Sequence, residues 1–208
     1  AQMQDRQREF FLREQLKVIQ RELGISKDDR ENDVDTFRNG DPIPYSETDE
    51  EWEVAGENGE PAWCYYDNDP ENGEKYGKLY NWYAVNDPRG LAPEGWHVAT
   101  DEEWTILENH LGGEFVAGNK LKEAGTQNWG GGNWGNNFSG FTALPGGIRY
   151  GNGAISGFET FVAYWWTATE TEDDDTSAWE RHLGALNFEL RKDYANKKSG
   201  CYVRCIRN

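Results

Sequence analysis

Apolar positions recur at helical spacing in only a few stretches of the chain. Over residues 3–23, Leu12, Leu16, Ile19 and Leu23 step by four, three and four, drawing one apolar stripe opposite a face of Arg, Glu and Gln. Gly24 ends the pattern, with Lys27 and Arg30 just beyond. Such a stripe has to be covered, by the chain's own domain or by another copy, so residues 3–23 are the candidate homo-oligomer contact. A second helix is signalled at Thr100, where Thr100 and Glu103 make a capping box, Asp101 and Glu102 suit the positive helix end, and Trp104, Leu107 and Leu111 form the buried stripe until Gly112. Shorter helices are expected over Val116–Glu123 and Glu50–Val54.

The last quarter reads differently. Tyr164–Thr169, Ala178–Lys192 and Gly200–Arg207 are aromatic or β-branched runs bounded by Gly, Asp or Asn, the mark of strands, and Phe141–Tyr150 shares that character. Because strand side chains alternate, Trp179, Arg181 and Leu183 share one face while Glu180, His182 and Gly184 take the other. A sheet of this kind offers polar side chains to a ligand while its other face holds the core. Between these elements, residues 31–60 are acidic and irregular, Asp67–Gly73 reads as a solvated turn, and Gln127–Gly140 alternates Gly, Asn and Trp as surface loops do.

Composition narrows the picture. Ten Trp, ten Tyr and nine Phe beside 24 Gly suit a loop-rich α+β domain with short strands. A net charge of −17 argues against nucleic acid, which needs a basic surface, and against anionic membrane. The charge is uneven: residues 1–30 hold seven Lys and Arg against six Asp and Glu, leaving fourteen against thirty-two for the rest. The expected division is therefore an amphipathic helix over 1–30 and a domain over 31–208. No run approaches the roughly 18 apolar residues of a membrane span, so no membrane insertion is expected. Three cysteines suit either one disulfide in a secreted chain, with Cys64 and Cys205 the candidate pair, or three buried thiols in a cytosolic one. Cys201 and Cys205, four apart on an extended strand, stand about 13 Å apart and do not bond each other.

The candidate site is the final sheet with its neighbouring loops. From the sheet come Glu180, His182, Asn187, Glu189, Arg191 and Tyr194; from the loops come Trp129, Asn133, Trp134, Asn136, Tyr150 and Asn152. Aromatic side chains give rigid contact area and Asn, Glu and Arg adaptable hydrogen bonds, the mixture of recognition surfaces. Trp165, Trp166 and Trp179 read as core. The acidic run Glu170–Asp175 reads as a wet hairpin tip, with a calcium site as the less favoured alternative, and no other metal or cofactor is expected. No catalytic residue is assigned, since His97, His110 and His182 show no spacing that ties a base to a thiol.

Two resemblances bear on these expectations. The segment QREFFLREQLKVIQRELG at 7–24 resembles a helical segment in the amino-terminal region of Lon proteases, although the chain has no GxxxxGK[ST] phosphate loop. FRNGDPIPY at 37–45, YGKLYNWYAV at 76–85, GWHVATDEEW at 95–104, GGEFVAGNKLKEAGTQNW at 112–129, FTALPGGIRY at 141–150, YWWTATE at 164–170 and the closing KKSGCYVRCIRN resemble the Fibrobacter succinogenes major paralogous domain. That resemblance implies a C-type-lectin-like fold, with two short helices flanking small twisted antiparallel sheets. It also implies a bacterial surface or secreted location, as against the cytoplasm suggested by the helix. Some relatives are targets of diversity-generating retroelements, which vary ligand-facing residues near the carboxy terminus. The function implied is non-enzymatic binding of a protein or glycan; the tripeptides EPN, QPD and WND of calcium-dependent sugar binding do not occur. The alternatives are a display scaffold assembled by the helix and, given Cys201 and Cys205, a cysteine oxidase of the formylglycine-generating type.

Overall fold

The computed structural model describes residues 34–125, 127–131, 134–155 and 161–208. The helix expected over 3–23 and the candidate Asn133 lie outside the described residues. Within them the fold is mixed α+β: five helices and three small antiparallel sheets.

Capping chemistry places the helices. In α1 (Asp49–Asn58), longer than expected, the Thr48 hydroxyl accepts from the Glu51 amide, and Gly59 closes the other end at φ 69°. The stretch expected as a solvated turn is instead a short 3₁₀ turn over Tyr66–Asn68 followed by α2 (Pro70–Tyr76). Asp69 and Pro70 explain it, an acidic N-cap accepting from the Glu71 amide and a proline at the first helical position. After α3 (Trp82–Val85), the capping box forms as expected at α4 (Asp101–His110): the Thr100 hydroxyl accepts from the Glu103 amide at 3.3 Å, and the Thr100 amide donates to Glu103 Oε2 at 2.8 Å. The fifth helix, α5 (Glu114–Leu121), follows at once.

The sheets are interleaved in sequence. β1 (Trp63–Cys64) and β7 (Gly200–Cys201) flank β2 (Leu79–Asn81); β3 (Trp96–Val98) pairs with β8 (Cys205–Arg207); β4 (Val162–Glu170), β5 (Ser177–Gly184) and β6 (Leu190–Asn196) form a meander. Parallel bridging of Trp165 with Tyr202 docks the meander against the carboxy-terminal segment. Three expected strands are corrected. Ala178–Lys192 is a hairpin, β5 and β6 with a tip at 185–189; Gly200–Arg207 splits into β7 and β8, which belong to different sheets; and Phe141–Tyr150 makes only isolated bridges at Ala143, Gly147 and Arg149.

Two aromatic clusters form the core. One gathers Trp52, Trp104, Trp129, Phe141 and Trp165, the other Phe37, Trp63, Tyr80, Trp82 and Trp166. The indole N–H groups tie distant loops together, Trp52 donating to Lys198 O, Trp63 to Ile43 O, Trp82 to Thr167 O, Trp129 to Ala143 O and Trp166 to Tyr80 O, at 2.8 to 3.0 Å. Burying a large ring while satisfying its one donor is how a chain this rich in loops holds a fixed shape. The cysteines join this core. The expected Cys64–Cys205 disulfide is not formed: all three cysteines are buried thiols, and Cys64 and Cys205 sit in different clusters.

Candidate functional site

The β4–β5–β6 meander has two faces of different chemistry, divided by the alternation of β5. Towards α4 point Arg181 and Leu183. Asp101, Thr105 and Glu108 line one face of α4 at a spacing of four and three, and all three bind Arg181. Its Nη1 donates to Glu108 Oε2 at 2.9 Å, and its Nη2 donates to Asp101 Oδ1 at 2.7 Å and Thr105 Oγ1 at 2.9 Å. Lys192 on β6 adds a bond to Asp101 Oδ2 at 2.7 Å and lies 4.0 Å from the Trp179 ring. Arg181 is 2% exposed, with its Nε the one nitrogen left without a hydrogen bond.

On the opposite face, register sets Tyr164 of β4 beside His182 of β5, Glu180 of β5 beside Asp193 of β6, and His182 beside Arg191. Glu180 is 2% exposed; its Oε1 lies 2.9 Å from His182 Nδ1, and its Oε2 has no hydrogen-bond partner among the described residues. Burial raises the Glu180 carboxyl above the usual carboxylate range, only partly offset by His182. Tyr164 is pushed up to about 12 by burial and by the nearby Glu180, Tyr150, Cys201 and Asp193. Its ring centroid is 5.1 Å from that of His182. Arg191, exposed, is bonded to Glu189 rather than to Glu180.

The tip of the hairpin adds an apolar patch. Leu186 is 71% exposed, Trp134 62% and Phe188 43%, with Phe161 at the margin. Trp134 and Phe188 meet edge to face at 6.1 Å. Lys122, fully buried just after α5, fixes the tip from beneath: its Nζ donates to Gly184 O and, at 2.7 Å, to Asn187 O, and sits 5.0 Å from the Trp129 ring. Burial lowers its amine to about 8. Gly118 of α5 lets the helix lie on the tip backbone, since a Cβ there would come within 2.4 Å of Glu189 O and 2.7 Å of Phe188 O.

The expected site residues divide accordingly. Trp134, Asn136, Asn187, Glu189 and Arg191 lie on the tip, its strand end or the adjoining loop, and His182 and Tyr150 edge the open face. Two are corrected: Trp129 is 2% exposed, a core ring whose N–H reaches Ala143 O, and Glu180 is a buried floor rather than a surface side chain. Tyr194 is exposed but stands on the helix-side face, against Trp179 at 6.3 Å. Asn152 is exposed in a separate turn, accepting from the Ala154 amide. Reading of the sequence missed Tyr164, Asp193, Leu186, Phe188 and Lys122; strand register would have offered the first two. A small cavity elsewhere, lined by Tyr76, Thr142, Trp165, Tyr202 and Arg204, holds about 60 Å³, little beside the roughly 300 Å³ of small ligand clefts. Among the described residues no cluster of His, Cys, Asp and Glu is suited to hold a metal ion, and no helix is long and apolar enough to cross a membrane.

A mixed α+β domain of interleaved antiparallel sheets, with one sheet face left partly open, is the class this geometry defines. The chain belongs to the Fibrobacter succinogenes major domain family, whose model matches residues 30–207. In its N-terminal region, 34 residues are 68% identical to a Lon protease of Magnetococcus marinus and 36 are 58% identical to Lon protease 2 of Hydrogenovibrio crunogenus. These matches cover 16% and 17% of this chain and 4% of each relative. No solved structure matches.

Proposed function

We propose that the protein is a recognition domain without catalytic activity, which binds a protein ligand through the β5–β6 tip and the open face beside it. One observation carries the reading: Leu186 and Phe188 stand exposed on a turn anchored from below by Lys122, and the exposed Trp134 of the neighbouring loop packs against Phe188. Apolar side chains grouped on a fixed, polar-rimmed turn mark contact surfaces, because water favours covering them and a preordered turn loses little entropy on binding. The aliphatic Leu186 favours a protein over a glycan, whose rings stack on aromatic faces alone. Variation of tip residues of the kind produced by diversity-generating retroelements, and a location at the cell surface, fit this reading.

The thiols favour it over a cysteine oxidase. Burial raises Cys64 to about 11 and Cys201 well above the usual thiol range, so both stay protonated at neutral pH, whereas thiol catalysis uses the thiolate. The amphipathic segment over residues 3–23 adds multivalent display to the proposal, raising avidity without a new contact.

The test is an array of cell-surface proteins and glycans probed with and without calcium, using the wild-type chain and a Trp134→Ala, Leu186→Ala, Phe188→Ala variant. Calcium-independent binding of a protein, lost in the variant, is expected. A glycan hit, binding equal in both chains, or no binding at all overturns the reading.

A further inference from the structure

The open face holds a carboxylate that its surroundings do not satisfy. Glu180 is 2% exposed, and its Oε2 has no hydrogen-bond partner among the described residues. Asp193 stands across from it on β6, Tyr164 and Cys201 lie close enough to interact electrostatically with it, and Tyr150 lies close enough to Tyr164 to do the same there. Among the described residues no Lys or Arg forms an ion pair with Glu180 or Asp193: Arg181 leaves by the other face to Asp101 and Glu108, and Arg191 is held by Glu189. Burying a carboxyl oxygen without a donor costs on the order of 1–3 kcal/mol, a cost that a ligand bringing an N–H donor would recover. Exposure is graded across this face, with Asp193 and Tyr150 exposed, Tyr164 and His182 half-buried, and Glu180 buried beneath.

We propose that this part of the open face is a subsite for a protonated amine or guanidinium borne by the ligand, accepted by Glu180 Oε2 and Asp193 and faced by the tyrosine rings. The proposal rests on the recognition reading above and adds the chemistry of what is recognised. A metal ion suits the site poorly, for lack of a set of ligands; an organic cation brings its own N–H donors and gains from aromatic faces at its flank. The His182 ring is held here by one hydrogen bond to Glu180 and by contact with Tyr164, which makes it the side chain the cation displaces.

The test is a titration of the full chain, followed by the His182 and Tyr164 ring resonances, with n-butylammonium, n-butylguanidinium and n-butanol. Saturable shifts are expected from a cation and not from the alcohol, with affinity on the order of 1–10 mM. Glu180→Gln weakens the affinity about tenfold, as loss of one charge-assisted hydrogen bond requires, whereas Asp173→Asn leaves it unchanged. Stronger binding of the ammonium identifies a lysine-like group, and of the guanidinium an arginine-like one. If Glu180→Gln does not fold, Asp193→Asn carries the same comparison. No saturable shift, an equal shift in Glu180→Gln, or an equal response to butanol overturns the subsite. Because the probe is not the partner, such a failure leaves the array result at the hairpin tip standing, and an array failure leaves the titration interpretable.

Discussion

Arg181 and Glu180 are neighbours on one strand, both 2% exposed, yet their surroundings are opposite. Arg181 meets Asp101, Thr105 and Glu108 on a capped helix, while Glu180 has one partner and an oxygen with none. The difference shows that burial by itself does not tell structure from site. A buried charge held by several charged and polar partners belongs to the scaffold; one held by a single partner, with a carboxylate oxygen left over, marks where a ligand has a bond to make.

The largest expected effect breaks the scaffold side. Arg181→Met leaves Asp101 and Glu108 without their shared cation, and removing one partner of a buried pair costs about 3–5 kcal/mol; urea unfolding measures it. Next comes Lys122→Met, which strips the donor from Gly184 O and Asn187 O, at about 1–3 kcal/mol, and loosens the tip, seen as faster amide exchange over residues 185–189.

This lysine also has a pH signature. Burial lowers its folded value to about 8 from the ordinary 10.5, so between those limits the unfolded chain holds more protons and stability rises with pH. Below about 8 the buried charge exerts its full cost. Cys64, raised from 9.0 to about 11, acts in the opposite sense, its contribution being lost as pH climbs through that range. The wild-type profile minus that of Lys122→Met therefore isolates a rise between pH 8 and 10.5, and a flat difference would show that the amine is not held as described.

On the open side the effects on stability are small and of the other sign. Glu180→Gln removes a group whose raised carboxyl makes folding less favourable as pH rises, so stability at pH 8 is unchanged or slightly higher, by at most about 1 kcal/mol. Smallest of all is Phe188→Ala, within about 0.5 kcal/mol as for ordinary surface positions.

How much of this was legible follows from how local each signal is. The capping box at Thr100 and Glu103 was plain because four residues contain it, and the core roles of Trp165 and Trp166 followed from a run of aromatic positions. The hairpin within 178–192 was not, because its tip, Ala185 to Glu189, carries no glycine or proline to announce a turn; Lys122, more than sixty positions away, supplies the bonds that fix it. Trp129 sits in a run of Gly and Asn that reads as surface, yet its ring is drawn inward by Ala143 O, a partner no spacing rule reveals. Alternation assigned Glu180 correctly to the face opposite Arg181. What covers a face is a tertiary fact, and so the exposed candidate became a buried floor.

Paired urea unfolding of Arg181→Met and of the Trp134→Ala, Leu186→Ala, Phe188→Ala variant tests the division of labour between the two regions most directly. The account predicts a loss of about 3–5 kcal/mol for the first and no more than about 1 kcal/mol for the second. A tip variant that loses as much as Arg181→Met would make the tip part of the core, and would contradict its assignment as a surface held ready for a partner.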